Sequence, residues 1–306
     1  MSSYLLRRLF VSLGVIFGVL LFTFSMLHLV PGDPVRAQLG RQAVTPERME
    51  ELREELGLNE PLPVQIGAYI GAVLSGDLGE SIQTKRSVAS AIAEQIPSTI
   101  ELMIGSMLVS ILIGVPLGVI SALRAGSVTD SVLTGATVGA VSIPTFWLGL
   151  LLILVFSVNL GWFPAASISS DLRGLVLPAL TLGIGGGALL ARLIRASMLE
   201  VLGSPYLVAA RARGISSTRL SYYAFRNALV PIVTIIGLQI GYLLGGSVII
   251  ESIFARQGIG RLAIDAIGKQ DFPMVQGIVM VIAVSYVLIN TLTDLAHTWL
   301  DPRVRL

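Results

Sequence analysis

Long runs of apolar residues without charges constrain this chain more than any other feature of its sequence. Hydrophobic residues make up 54% and charged residues 13% of the 306 residues, and that charged share is about half of what a soluble domain carries. A run of about 20 apolar residues can cross a hydrocarbon layer of roughly 30 Å as a helix. The pattern predicts an all-α integral membrane protein with six transmembrane helices, over 9–30, 100–123, 132–158, 175–197, 229–250 and 275–300.

Proline and glycine weaken several of these predicted spans. Pro116 is expected to interrupt the second span and Pro144 the third, while Gly183 and Gly185–Gly187 loosen the fourth. Small residues at such places either let helices pack closely or leave room for a substrate path. The sequence leaves both interpretations open.

The distribution of arginine predicts which side of the membrane each loop faces. With a cytoplasmic N-terminus, the inside segments carry eleven arginines, whereas the short outside loops at 159–174 and 251–274 carry four basic residues. The loop over 31–99 is left out of this comparison because loops longer than roughly 60 residues are translocated regardless of their charge. Both termini are therefore expected in the cytoplasm, and 31–99 becomes a long first extracytoplasmic loop.

That long loop is expected to contain a folded element. Thr45 can cap a helix that opens with Pro46, and Gly57 can end it. No repeat of fixed period divides the chain, so the sequence predicts a single membrane domain over 1–306.

The sequence lacks residues that several kinds of site require. It has no cysteine and only two histidines, His28 and His297, so a Cys/His metal cluster cannot be built. A phosphate-binding G-x-x-x-x-G-K-[ST] loop is also missing, because Gly268 and Lys269 are followed by Gln270. A net charge of +2 does not favour nucleic acid as a partner. We therefore expect no enzyme activity, no metal and no cofactor in this chain.

An arginine-rich segment over 198–228 interrupts the apolar pattern and predicts a helix-turn-helix. Ser204 can cap the first helix, Pro205 suits its first turn, and Gly214 provides a left-handed stop. The second helix is expected to begin after Ser216 or Ser217, with Arg219, Tyr222, Tyr223 and Arg226 on one face and Leu220, Ala224 and Ala228 on another, and Pro231 is expected to mark the start of the fifth span.

The first of these helices needs a surface to lie on, because a helix of about nine residues is not stable alone in water. Tyr206, Leu207, Ala209 and Ala210 can supply an apolar contact, with Arg211 and Arg213 at its rim. Docking on a partner is one interpretation. The other is that the arginines lie on anionic lipid headgroups and set the topology.

Short stretches along nearly the whole chain resemble one family. The run "AARARG" at 209–214, followed by "RNALVP" at 226–231, resembles the cytoplasmic coupling loop of binding-protein-dependent ABC transporter permeases, in the dipeptide, oligopeptide, glutathione and nickel subfamily. Further stretches resemble the same subfamily in chain order: "RRLF" at 7–10, "LVPGDP" at 29–34, "LGLNEPLPVQ" at 56–65, "GDLGESI" at 76–82, "SIPTFWLG" at 142–149, "LGWFP" at 160–164, "LPALTLG" at 177–183 and "ESIFARQGIG" at 251–260.

The resemblance implies that 205–213 is a coupling helix seated on a separate ATP-hydrolysing subunit. Val208 stands where the general permease loop has a glutamate, so no carboxylate at this position is expected to contact the ATPase. The implied coupling residues are Tyr206, Leu207, Ala209, Ala210, Arg211, Arg213 and Gly214.

The resemblance also implies the function and the partners. The chain would be a permease subunit of an ATP-driven importer of small peptides in the bacterial cytoplasmic membrane. Its partners would be a second homologous permease chain, two subunits that bind ATP and magnesium, and an extracytoplasmic substrate-binding protein. Nickel or glutathione stays open as the substrate, and so does a secondary transporter driven by an ion gradient.

Polar positions inside the predicted spans are candidates for the translocation path. Polar side chains within spans face the helix bundle or water more often than lipid. The candidates are Gln239, Ser285, Asn290 and Asp294.

The outside loop over 251–274 has an apolar stripe and a glycine-rich turn. It is either a lid packed on the helices or a contact for the substrate-binding protein. The candidate contact residues are Arg256, Gln257, Gly258, Gly260 and Arg261.

Overall fold

Helices account for most of the residues that the structure describes, as the apolar pattern predicts. The structure is a computed structural model that describes residues 2–29, 49–50, 53–54, 59–166 and 171–300. Most of the helix expected between Thr45 and Gly57 lies outside the described residues. The helices in chain order are α1 (Ser2–Leu29), α2 (Leu62–Leu74), α3 (Val88–Leu123), α4 (Val128–Ser142), α5 (Thr145–Leu152), α6 (Leu172–Leu202), α7 (Pro205–Ala212), α8 (Ser217–Ile253), α9 (Ile259–Gly268) and α10 (Phe272–Leu300), and a π-helix (Ile153–Asn159) follows α5.

Four described helices, α3, α6, α8 and α10, contain stretches long and apolar enough to cross a membrane. A fifth candidate is α4 together with Thr145–Asn159, and this pair is bent by 99°. In α1 the described apolar stretch, Phe10–Ser25, is shorter. The number of six spans therefore stays a prediction.

The interruption predicted in the third span over 132–158 is confirmed. The break lies at Ile143, which has an extended backbone with φ −77° and ψ 122°. Proline disfavours the helical conformation of the residue before it, so Pro144 accounts for the break.

Two prolines that were predicted to interrupt or to open a span lie instead inside continuous helices. α3 runs through Pro116, and α8 runs through Pro231. The second helix predicted in the arginine-rich segment and the predicted fifth span are therefore one helix of 37 residues. Membrane helices tolerate proline because neighbouring groups satisfy the backbone carbonyl that loses its partner.

The chain forms two compact units. The first combines Met1–Pro97 with Gly258–Leu288. In its core, Val88 and Ile92 at the start of α3 cluster with residues of α9 and of the first half of α10. The loop before α3 is held by the buried carboxylate of Asp271, which accepts hydrogen bonds from the hydroxyl of Ser81 at 2.5 Å and from the backbone N–H of Ile82 at 3.1 Å.

The second unit combines Ser98–Gln257 with Ile289–Leu306, and within it glycines bring α3 and α6 into backbone contact. A β-carbon added at Gly114 would lie 2.7 Å from the carbonyl oxygen of Gly187, and one at Gly118 would lie 2.6 Å from that of Ala191. A β-carbon at Gly183 would lie 2.5 Å from a side chain of α3. Of the two interpretations left open by the sequence, these distances support close packing for the glycines of α6 that lie at this contact.

We expect Gly118→Ala to destabilise the protein and Gly139→Ala to leave its stability unchanged or slightly raised. The new methyl group at 118 would overlap the backbone of α6, and overpacking of this kind costs about 1–3 kcal/mol. At Gly139 nothing lies within 4 Å of an added β-carbon, and alanine favours a helix over glycine by about 1 kcal/mol. The midpoint of thermal unfolding in detergent measures both effects. Equal midpoints for the two variants would contradict the proposed close contact.

Candidate functional site

The arginine-rich segment forms the first predicted helix, α7, which begins at the predicted residue and ends at Ala212, one residue before the predicted end at 213. Pro205 opens it, and Gly214 follows it with a left-handed φ of +80°. The backbone N–H of Gly214 donates to the carbonyl of Arg211 at 3.0 Å, so the left-handed stop is confirmed. Ser204 lies at the cap position, but its hydroxyl donates to the carbonyl of Val201 at 2.5 Å and does not cap α7.

One predicted docking residue faces the interior of this chain. Leu207 is 3% exposed and packs in a core with Met198 of α6 and with Leu220 and Ala224 of α8. Leu207 is therefore not on the exposed surface of α7, and its contact with a partner stays a prediction. The side chain instead holds α7 on the helices beneath it, which gives this short helix the surface that it requires.

The exposed face of α7 mixes apolar side chains with arginines. Tyr206, Val208, Ala209 and Arg211 are exposed, with Val208 exposed by 55%, and Arg213 is exposed directly after the helix, while Ala210 is half-buried. Val208 was not among the coupling residues predicted from the sequence. It follows the inward-facing Leu207 directly and therefore points about 100° away from it around the helix.

A hydrogen bond that the sequence did not predict joins α7 to α8. The side-chain amide of Asn227 donates to the hydroxyl of Tyr206 at 2.8 Å and to the backbone carbonyl of Tyr223 at 2.9 Å. Twenty-one residues separate Asn227 from Tyr206, so no local pattern could have paired them. The bond fixes the orientation of the Tyr206 ring on the exposed face.

The first turns of α8 have the two faces that were predicted. Leu220, Ala224 and Ala228 are buried, and Arg219, Tyr222, Tyr223 and Arg226 are exposed. Among the described residues, no acidic side chain lies within 4.0 Å of the guanidinium groups of Arg211, Arg213, Arg219 and Arg226. The exposed surface around α7 is therefore cationic.

An ion pair ties α4 to α6 near the end that leads into α7. The guanidinium of Arg195 donates to both carboxylate oxygens of Asp130, at 2.7 and 2.8 Å. The Ser121 hydroxyl and the Gly126 backbone N–H also donate to this carboxylate, at 2.5 and 2.9 Å. The Asp130 side chain is nearly buried, so these four bonds replace the water that it would otherwise bind.

The candidate path residues lie on α8 and α10. Gln239 is buried, and its amide donates to the Ser110 hydroxyl at 3.0 Å. Ser285, Asn290 and Asp294 are half-buried. Their role in a path stays a prediction.

The candidate contact residues after α8 differ in exposure. Gln257 is exposed, whereas Arg256 is 2% exposed and donates to the carbonyl of Ser98 at 3.1 Å and to the carboxylate of Glu101 at 2.7 Å. Arg256 is therefore buried, whereas a contact for the substrate-binding protein requires an exposed side chain. The left-handed residue of this turn is Ala255, with φ +50°.

The other candidates in this loop belong to the start of α9. Gly258 and Gly260 are buried, and Gly258 has an extended backbone with φ −151°. The tight turn predicted at these glycines is therefore absent. Arg261 is partly exposed and lies 4.0 Å from the carboxylate of Asp265.

Comparisons with known proteins agree with the resemblance seen in the sequence. The model of the family described as "Binding-protein-dependent transport system inner membrane component" matches residues 114–306. The model of the N-terminal part of such membrane components matches residues 1–103.

Curated relatives match over their full length. The chain is 38% identical to the di/tripeptide transport system permease protein DppB of Pseudomonas aeruginosa, covering 100% of this chain and 99% of that protein. It is 36% identical to the dipeptide transport system permease protein DppB of Escherichia coli K12, with the same coverage. It is 38% identical to the glutathione transport system permease protein GsiC of Pectobacterium atrosepticum, again with 100% and 99% covered.

Among solved structures, an inward-facing form of the MetNI methionine ABC transporter shares the fold. The TM-score is 0.58 at 19% identity, and the match covers 69% of this chain and 96% of that one. At this identity the match supports the fold alone.

We expect Arg195→Met to lower the thermal midpoint of the protein, because it leaves the nearly buried carboxylate of Asp130 without its charged partner. Asp130→Leu combined with Arg195→Met should recover part of the loss, since neither variant side chain then carries an uncompensated charge. Thermal unfolding of the two single variants and the double variant measures this coupling. Strictly additive losses would show that the two side chains do not interact.

Proposed function

The chain belongs to the family of binding-protein-dependent transport system inner membrane components, and we propose that it imports small peptides of two or three residues. As a member of this family it is a multi-pass permease subunit of an ABC importer. Separate subunits hydrolyse ATP, and a substrate-binding protein delivers the substrate. Membership of this family therefore favours an ATP-driven importer over the secondary transporter driven by an ion gradient, which the sequence had left open.

The substrate proposal rests on the named relatives. Two of them are dipeptide or di/tripeptide permeases, and a third is a glutathione permease. Glutathione is itself a tripeptide, so a site for short peptides accommodates all three names. Nickel remains the alternative substrate that the sequence left open. A transport assay of this chain should therefore measure the uptake of Ni²⁺ together with the uptake of peptides.

The single observation that carries the coupling role is the exposed face of α7. A short helix with Leu207 anchored in the core presents Tyr206, Val208 and Arg211 outward. Such a face can bury apolar side chains in a groove of the ATPase while the surrounding arginines meet acidic groups at its edge.

The orientation and the assembly complete the proposal. With α7 on the ATPase side, both termini lie in the cytoplasm, in agreement with the arginine distribution. A second homologous permease chain would provide the other half of the path, together with two ATP-binding subunits. Gln257, which is exposed, remains a candidate contact for the substrate-binding protein, and Gln239, Ser285, Asn290 and Asp294 remain candidates for the path.

We expect Gly214→Val to uncouple ATP hydrolysis from peptide uptake or to release the ATPase. A β-branched residue at φ +80° is strained by about 1–3 kcal/mol, and relief of that strain moves the end of α7. Gly214→Asn should retain coupling, because asparagine tolerates this conformation. The measurements are ATPase retention, ATP hydrolysis and uptake of a labelled dipeptide in proteoliposomes.

Gly203→Val is the matched control at the other end of α7. Gly203 has φ −82°, which valine adopts without this strain. Wild-type uptake by Gly214→Val, or equal losses in Gly214→Val and Gly203→Val, would overturn the coupling role of this segment.

A further inference from the structure

The helix α2 lies in the predicted extracytoplasmic loop but has the composition of a membrane segment. No charged residue occurs between Glu60 and Asp77, and none of the 13 residues of α2 is buried. Its length of about 20 Å is too short for a hydrocarbon layer of roughly 30 Å. α2 is therefore neither a core helix nor a spanning helix, and an apolar helix of this length that is not in a core is typical of an interfacial segment.

One face of α2 packs on α1. The Tyr69 hydroxyl lies 3.0 Å from the hydroxyl of Thr23, and the Tyr69 ring centroid lies 5.9 Å from that of Phe24. Burial raises the pKa of the Tyr69 phenol above its ordinary value, so this group stays neutral. The contact gives α2 a fixed position beside a helix that is predicted to cross the membrane.

The depth of this contact follows from its neighbours. Thr23 lies six residues before Leu29, where α1 ends, which corresponds to about 9 Å along the helix. The backbone carbonyl of Thr23 also accepts a hydrogen bond from the side chain of Gln276 at 2.7 Å, close to the start of α10 at Phe272. α2 therefore packs where α1 approaches its end and α10 begins.

The other face of α2 is apolar and uncovered. Val64 and Leu74 are exposed, Leu74 by 79%, and nothing lies within 4 Å of a β-carbon added at Gly67 or Gly71, which share this face. Contact of such a surface with water is unfavourable. α1 also exposes large apolar side chains, among them Phe17 and Phe22, so the uncovered face of α2 adds to the apolar surface of a predicted span.

We propose that α2 is an interfacial helix whose Val64 and Leu74 side chains lie among the outer ends of the acyl chains in the extracytoplasmic leaflet. The proposal rests on the orientation given under the proposed function. Tyr69 suits this depth, because tyrosine is enriched at membrane interfaces. The helix carries no cation, so its association does not depend on anionic headgroups.

The lack of native cysteine allows a direct test with single labels. Val64→Cys, Leu74→Cys and Thr84→Cys are made in the full chain, assembled with partner subunits that lack reactive cysteines, labelled with bimane and reconstituted in vesicles. Phosphatidylcholine brominated near the headgroup end of its acyl chains quenches labels at the interface, and iodide quenches labels in water. Thr84 is the control because it is exposed in the polar turn that precedes α3.

We expect the brominated lipid to quench the labels at Val64 and Leu74 several-fold more than iodide does, with the reverse order at Thr84. Addition of anionic lipid should leave this order unchanged. Strong iodide quenching at Leu74 would place the helix in water, and protection from both quenchers would show that another protein covers it. Either result would overturn the proposal.

The same labels separate this proposal from the proposed orientation. In vesicles whose ATPase subunits face inward, iodide added outside quenches the Thr84 label if the first loop is extracytoplasmic. If that label responds only to iodide trapped inside, the orientation fails. The order of quenching at Val64 and Leu74 still reports whether α2 contacts lipid.

Discussion

The backbone contact between α3 and α6 is the constraint on which the candidate site depends. Gly114 and Gly118 let the carbonyl groups of α6 approach closely, and this closeness leaves little freedom for α6 to slide or rotate. Because α6 ends at Leu202 and α7 begins at Pro205, the position of α6 determines where α7 starts. The ion pair between Arg195 and Asp130 fixes the same end of α6 to α4.

Local rules predicted the part of the site that depends on neighbouring residues. A proline at the first position and a glycine at φ +80° define α7, and helical periodicity sorts the buried and exposed residues at the start of α8. These features depend on interactions within a few residues, which a single sequence contains. The apolar runs likewise predicted the long helices, because a helix satisfies its own backbone in a membrane.

Contacts between distant residues were beyond such rules. Leu207 and Val208 are both apolar, and only the core beneath α7 decides that Leu207 is the buried one. Arg256 was a candidate contact for the substrate-binding protein, yet Glu101 and the Ser98 carbonyl bind it in the interior. The partners of Arg256 lie 155 and 158 residues away in the sequence. Pro231 was expected to mark the start of the fifth span, but α8 begins at Ser217 and continues through it.

Cross-linking along α7 tests the central claim, that its exposed face binds the ATPase, most directly. Single cysteines at Val208 and Leu207 are placed in the assembled complex, and a short thiol-to-amine reagent is used to join them to lysines of the ATPase. The account predicts an adduct between this chain and the ATPase from Val208→Cys and none from Leu207→Cys, because Leu207 is buried within this chain. An adduct from Leu207→Cys with none from Val208→Cys would contradict the account.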